Sequence, residues 1–278
     1  MIYYKINDVK THVAIEVRKD ASVNVNINVG SMVPRLERVN VIVTAHLKSL
    51  ETQVALSHTM EALRYQFPRG DFVLDMPYTP YARQDRRCNA GEAFGIKVFG
   101  DYINRMDFKA VILTDPHSDV TAACIDRSEI MDQESVFGGV HDFGAGWYIV
   151  APDMGAKKKA GAFAKATGAK GVVTCYKERN MYTGEIISQG IIGGEDVPKD
   201  GARFFVLDDI CDGGRTFVGV AELLTARFNP QDLELAVTHG IFSYGTEVVT
   251  DIYDHVYTTN SFQPNFAGCE RMTILPIE

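Results

Sequence analysis

Asp208 and Asp209 close an apolar run, FFVLDDI, and within a few positions come Asp212, Gly213, Gly214, Arg215 and Thr216. Glycines let the backbone turn its amides toward one point as an anion nest, Thr216 is placed to cap a following helix, and a helix N-terminus favours negative charge. Adjacent carboxylates can accept hydrogen bonds from the neighbouring hydroxyls of a sugar. The run therefore predicts strand, anion loop and helix, a combination suited to a phosphorylated sugar. An acidic strand end with a glycine turn would account for the Asp-Gly pair but not for the whole run.

Other stretches add charge that could meet an anion. Arg83, Gln84 and Asp85 lie in MPYTPYARQDRR, after an apolar run and two prolines, and an arginine fork makes two charge-assisted hydrogen bonds to a polyphosphate at once. Lys177 and Arg179 alternate in CYKERN, so on a strand they would project to one side, where two cations face either an anion or water. Asp115 and His117 follow AVILT, and Asp153 follows WYIVAP. Taken alone, Arg83 is an exposed basic loop residue and His117 a hydrogen-bonded loop histidine. The remaining histidines show no metal-ligand spacing.

These residues need elements to hold them. Apolar runs alternate with segments of helical period along most of the chain, the pattern of a parallel sheet with crossover helices. VNVIVTA (39–45), DFVLDMPY and AVILTDP predict strands in the first half, with Leu56, Met60, Leu63 and Phe67 spaced for a helix that ends at Phe67 and Pro68. An amphipathic stretch runs from Glu92 to Asn104. WYIVAPD, GVVTCYKER, ARFFVLDDI and ELAVTHGIF predict strands in the second half, with a hairpin at EIISQGIIGG. Four glycines between residues 138 and 146 mark the expected linker. The expected domains are 1–140 and 141–278, with the last strand a candidate to pack on the first domain. In both halves a buried strand delivers an aspartate where open α/β sheets bind ligands, at the C-terminal ends of the strands.

Composition narrows the function classes. The 278 residues, 46% of them hydrophobic, can bury a large core and do not read as disordered. With 28 Lys+Arg against 36 Asp+Glu the net charge is −8, which gives no support to nonspecific binding of nucleic acid or of an anionic membrane, so an anionic ligand needs a local basic pocket. No apolar run approaches the roughly 20 residues that span a bilayer, and MIYYKINDVK lacks a signal-peptide apolar region, which gives a cytoplasmic expectation. Five scattered cysteines without a CxxC fit reduced thiols.

The run DDICDGGRT resembles the binding motif for phosphoribosyl diphosphate (PRPP) shared by type I phosphoribosyltransferases and PRPP synthetases. PYARQD is similar to the ATP-site stretch of PRPP synthetases, and TDPHSD, APDMGAKKKA, CYKERN and THGIFS (238–243) resemble further segments of that family in the same order. The resemblance covers the chain from about Val39 onward. It implies two similar phosphoribosyltransferase-type domains and transfer of the diphosphoryl group of Mg·ATP to the anomeric hydroxyl of ribose 5-phosphate, giving PRPP and AMP. Carried over residue by residue, it implies ATP contacts at Arg83, Gln84, Asp85 and His117, and Mg²⁺ contacts at His117 and Asp153 with Asp115 nearby. It further implies Lys177 and Arg179 on the migrating group, and ribose 5-phosphate on Arg179, Asp208, Asp209, Asp212, Gly213, Gly214, Arg215 and Thr216. A homo-oligomer, dimer or hexamer, is the implied assembly.

Departures from the family pattern are as specific. RKDASVNVNINVG stands where the family has an early adenine-holding loop, and the chain ends at MTILPIE without the family's C-terminal helix. The phosphate loop reads DGGRT where the family has DTGGT or DTCGT, so Gly213 replaces a hydroxyl or similar group and Arg215 a small residue. The alternatives are a phosphoribosyltransferase that consumes PRPP and a noncatalytic, nucleotide-binding regulatory homologue. PYARQD and APDMG count against the first, and retention of Lys177 and Asp153 counts against the second.

Overall fold

A computed structural model describes residues 1–28, 38–179 and 186–277, without the side chains of residues 177–179 and 186–187. The chain divides into two compact units, Met1–Met131 and Asp132–Ile277.

Unit 1 holds β1 (Ile2–Ile6), β2 (Val9–His12), β3 (Ala14–Val17), β4 (Val23–Asn26), β5 (Asn40–Ala45), α1 (Leu50–Gln66), β6 (Asp71–Met76), α2 (Gly95–Asn104), β7 (Ala110–Thr114), α3 (Asp119–Cys124) and β8 (Ser128–Met131). Its main sheet runs β2-β1-β5-β6-β7-β8, with β5 to β8 parallel and β1 antiparallel to both of its neighbours. Helix α1 starts at a capping box in which Ser49 and Thr52 satisfy each other's backbone amides, and Leu56, Met60 and Leu63 are buried on one side of it. They pack with Val41, Val43, Leu74, Ile96, Phe99 and Leu113 in one core. The segment RKDASVNVNINVG begins in the turn of the small β3–β4 hairpin, and its last two residues lie outside the described residues.

Unit 2 holds α4 (Gln133–Phe137), a 3-10 turn (Phe143–Ala145), β9 (Trp147–Ala151), α5 (Lys157–Thr167), β10 (Gly171–Arg179), β11 (Ile186–Ile192), β12 (Arg203–Cys211), α6 (Arg215–Arg227), β13 (Asp232–Gly240), α7 (Glu247–Thr250), β14 (His255–Thr259) and β15 (Met272–Leu275). The sheet order is β11-β10-β9-β12-β13-β14-β15, parallel except for β11. Strand β12 shows why the sheet is central. Phe204 and Val206 join the core beneath α6, while Phe205 and Leu207 join the one beneath α5, as period-two alternation requires of a strand covered on both faces.

Two boundary expectations are corrected. The units part between Met131 and Asp132 rather than between residues 140 and 141, and the glycine-rich stretch is no linker. Phe137 and Phe143 are almost fully buried in the aromatic cluster of Trp147, Phe163 and Phe205, so this stretch belongs to the core of unit 2. The last strand, β15, pairs in parallel with β14 and so lies in the sheet of unit 2. Among the described residues no helix is long and apolar enough to cross a membrane.

Candidate active site

In unit 2, β9, β10, β12 and β13 are four neighbouring parallel strands, and the predicted residues sit at the ends of β10 and β12 and in the segments that follow β9 and β12. Asp208 and Asp209 fall within β12 itself, so alternation sends their side chains to opposite faces of the strand. Asp208 is half-buried, and its own carboxylate accepts the Asp209 backbone N–H at 2.9 Å. Burial, followed by repulsion from the Asp209 carboxylate and a smaller contribution from Asp153, pushes the Asp208 carboxyl well above its ordinary pKa. A cation or hydrogen-bond donors of a ligand would offset that repulsion and favour the ionised carboxylate.

The loop beyond β12 differs from expectation in one detail. Gly214, not Thr216, occupies the N-cap of α6, with φ +76°. Thr216 instead lies exposed in the first turn, because the glycine turn already delivers the chain into the helix. The close fit around Gly214 explains the residue: a Cβ there would lie 2.7 Å from Val248 Cγ1 in addition to the left-handed strain. Gly214 accepts the amides of Phe217 and Val218 through its carbonyl, and its own N–H faces the Cys211 thiol, so the first-turn amides of Arg215 and Thr216 are the ones without a helical partner that an anion could take. Arg215, the first helical residue, is exposed.

Asp153 leaves β9 exposed, with Oδ1 accepting the Ala156 N–H at 3.0 Å. It lines a cavity of about 190 Å³ together with Thr216, Tyr176, Gln189 and the apolar side of α6. Lys177 and Arg179 end β10, where the pairing with β11 slips between Glu178 and Arg179. Their expected projection to one side lies outside the described residues.

In unit 1, β6 and β7 are parallel neighbours, so the loops that follow them open at the same end of the sheet. Arg83 and Gln84 are exposed and Asp85 half-buried, with Arg86 Nε 3.9 Å from Asp85 Oδ1. Gln84 is braced on α2: its carbonyl accepts the Ile96 N–H at 3.3 Å and its side chain lies against Gly95. Asp115 is buried with φ +38°, whereas His117 is exposed. The hydroxyls of Thr79, Thr114, Ser118 and Thr121, all in or beside these two loops, are buried with no hydrogen-bond partner. Sequence reasoning missed them, since nothing in a threonine's neighbours announces an unsatisfied hydroxyl.

The predicted metal residues divide between the units, Asp115 and His117 in unit 1 and Asp153 in unit 2. Among the described residues no three His, Cys, Asp or Glu side chains form a metal cage.

No protein-family model matches the chain. It is 27% identical over 255 residues to the ribose-phosphate pyrophosphokinase of Hyphomonas neptunium, which covers 87% of this chain and 78% of that enzyme. It is 26% identical over 200 residues to the ribose-phosphate pyrophosphokinase of Mycoplasmopsis pulmonis, covering 67% of this chain. The fold matches the crystal structure of phosphoribosylpyrophosphate synthetase from Mycobacterium smegmatis with a TM-score of 0.79 at 19% sequence identity, over 96% of this chain and 86% of that one. The chain is thus similar in sequence to ribose-phosphate pyrophosphokinases and in fold to a phosphoribosylpyrophosphate synthetase. It spans 58% of the length of the M. pulmonis enzyme and 63% of that of the Corynebacterium efficiens pyrophosphokinase. The mainly parallel α/β architecture of both units is the one expected from the sequence.

Proposed function

We propose that the chain is a ribose-phosphate diphosphokinase, transferring the diphosphoryl group of Mg·ATP to the anomeric hydroxyl of ribose 5-phosphate. The observation that carries this reading is the continuous β12–loop–α6 unit: a carboxylate pair, a left-handed glycine turn, and the N-terminus of a 13-residue helix. In this reading Asp208 and Asp209 orient the ribose hydroxyls, and residues Asp212 to Thr216 hold the 5-phosphate. Arg83, Gln84, Asp85 and His117 are assigned to ATP. Asp153, with His117 and Asp115 as the further candidates, would hold Mg²⁺, which when bound neutralises phosphate charge.

The reaction forms a bond between the anomeric oxygen and the β-phosphorus of ATP and breaks the bond from that phosphorus to the oxygen of AMP, while the hydroxyl gives up its proton. No covalent enzyme intermediate is needed. The work of the protein is positioning and charge neutralisation, the latter by Lys177, Arg179 and Arg83. We place the enzyme in the cytoplasm as a homo-oligomer, a dimer or a hexamer, acting on small molecules with no nucleic-acid or membrane partner. Purified protein given Mg²⁺, ATP and ribose 5-phosphate is expected to release AMP and PRPP in equal amounts. Formation of ADP and a bisphosphorylated sugar would mean γ-phosphoryl transfer and would end the proposal.

A further inference from the structure

The segment after β13 carries an aromatic side chain to which neither the motifs nor the proposed chemistry gives a role. Tyr244 is 71% exposed, the most exposed large hydrophobic residue described. Yet its ring lies directly on the phosphate loop: a Cβ built on Gly213 would sit 3.0 Å from Tyr244 Cε2 and 3.1 Å from Cδ2. The approach is close because position 213 has no side chain.

The backbone fixes this placement. Ile241 and Phe242 donate their amides to the Cys211 carbonyl at 2.9 and 3.1 Å, and Ser243 donates its amide to the Asp212 carbonyl at 3.0 Å. The Ser243 hydroxyl donates to Asp212 Oδ1 at 2.5 Å. Phe242 at φ +49° and Gly245 at φ +88°, joined by an N–H to carbonyl bond of 3.0 Å, form the turn that holds Tyr244 at its tip. Val248 closes the same segment over Gly214. A side chain so exposed gains little from burial, and the three residues before it are hydrogen-bonded in succession to Cys211 and Asp212, where the glycine turn begins.

We propose that Tyr244 is a substrate-binding residue that lies over the anion nest, its ring shielding the 5-phosphate of ribose 5-phosphate from water and its phenol O–H donating to a phosphate oxygen. The proposal rests on the reading of the 212–216 loop as the ribose 5-phosphate site and extends it to a residue outside that motif. It also explains Gly213. Where the resembling loops carry a hydroxyl or similar group in the loop itself, this chain leaves the position empty and brings in a hydroxyl from the neighbouring segment. Removing water from around a charge-assisted hydrogen bond strengthens it, which is what an aromatic cover supplies and a loop threonine does not.

Titration calorimetry with ribose 5-phosphate on the full chain tests this with Tyr244→Phe, Gly213→Thr and the double variant Gly213→Thr/Tyr244→Gly. Tyr244→Phe is expected to weaken ribose 5-phosphate binding at least fivefold, with the affinity for a nonhydrolysable ATP analogue and the melting temperature unchanged. Gly213→Thr alone is expected to weaken binding at least tenfold, because its Cβ displaces the ring, and the double variant to recover most of that loss. Binding of ribose 5-phosphate by Tyr244→Phe within twofold of the parent would overturn the proposal. If the parent binds no ribose 5-phosphate, the functional reading fails separately, and inorganic phosphate becomes the probe. Phosphate binding weakened by Tyr244→Phe would then still support the cover, and phosphate binding that is absent or unaffected would overturn it.

Discussion

The two units end a buried strand in the same way and then diverge. In unit 1, β7 runs into Asp115, Pro116, His117 and Ser118 and then a helix of six residues. In unit 2, β12 runs into Asp212, Gly213 and Gly214 and then a helix of 13 residues. Proline at 116 removes a backbone donor, Ser118 makes no side-chain cap, and a six-residue helix offers a weak dipole end. The loop of unit 2 has donors throughout, a left-handed glycine that turns them inward, and a longer helix behind them. One topology therefore gives two chemistries. Unit 1 presents side-chain oxygens and an imidazole, suited to a nucleotide and its cation. Unit 2 presents backbone amides, suited to a phosphate.

The same contrast holds for buried acids. Asp75 in β6 is 5% exposed and accepts the Thr44 hydroxyl at 2.9 Å, and burial alone raises its pKa. Asp208 is raised by burial and by other carboxylates as well. The first is a core group made tolerable by one hydrogen bond. The second is crowded with like charge, the usual mark of a site that awaits a partner.

The largest effect that would sharpen this contrast is expected at Lys177. If it neutralises charge on the migrating diphosphoryl group, Lys177→Ala should lower kcat by about two to three orders of magnitude with little change in ATP binding. Near-normal turnover would return Lys177 to the solvated rim. Next in size is Gly214→Ala, which combines left-handed strain with a Cβ 2.7 Å from Val248 Cγ1. It should cost about 1–3 kcal/mol of stability and weaken ribose 5-phosphate binding by roughly tenfold or more. Ser118→Ala, at the corresponding place in unit 1, should leave that affinity within about twofold, since the Ser118 hydroxyl has no partner to lose. Equal losses from the two variants would break the contrast.

Much of this architecture is legible in the sequence, because β5, β6, β7, β9, β10, β12 and β13 are apolar runs that only a buried strand explains. What escapes is set by different physics. Strand β8, Ser-Glu-Ile-Met, is a short edge strand with no apolar signature, and it exists because β7 offers it an unpaired edge. The glycines from 138 to 146 resemble a linker, yet Phe143 among them decides where the stretch goes by burying itself. The phosphate loop is visible as glycines and carboxylates in register. Tyr244 is not, because its contact with Gly213 joins residues 31 positions apart, as the neighbouring Ser243–Asp212 bond also does.

A smaller effect is expected from Arg215, exposed at the first position of α6. Arg215→Gln keeps the helix and removes the charge, and it should raise the KM for ribose 5-phosphate about tenfold, roughly 1.4 kcal/mol, at saturating ATP. An unchanged KM would leave the amides as the whole of the phosphate site. Smallest is the stability effect of Asp75. Its folded-state pKa lies above the unfolded value, so the stability linked to its protonated form is present at low pH and is lost as pH rises through the folded value. Asp75→Asn should therefore come closest to the parent below pH 4 and be the more stable of the two at pH 7.5, as read from melting curves. A variant that is less stable at both pH values would show that the carboxylate has a use that the Thr44 bond does not reveal.

The division of labour between the units can be measured directly by amide hydrogen exchange with and without ribose 5-phosphate. If the glycine turn of unit 2 holds the 5-phosphate through its amides, residues 211–217 should exchange at least tenfold more slowly when the sugar phosphate is present, while residues 114–121 of unit 1 keep their rates. Protection of 114–121 with no change at 211–217 would place the phosphate in the other unit and contradict the account.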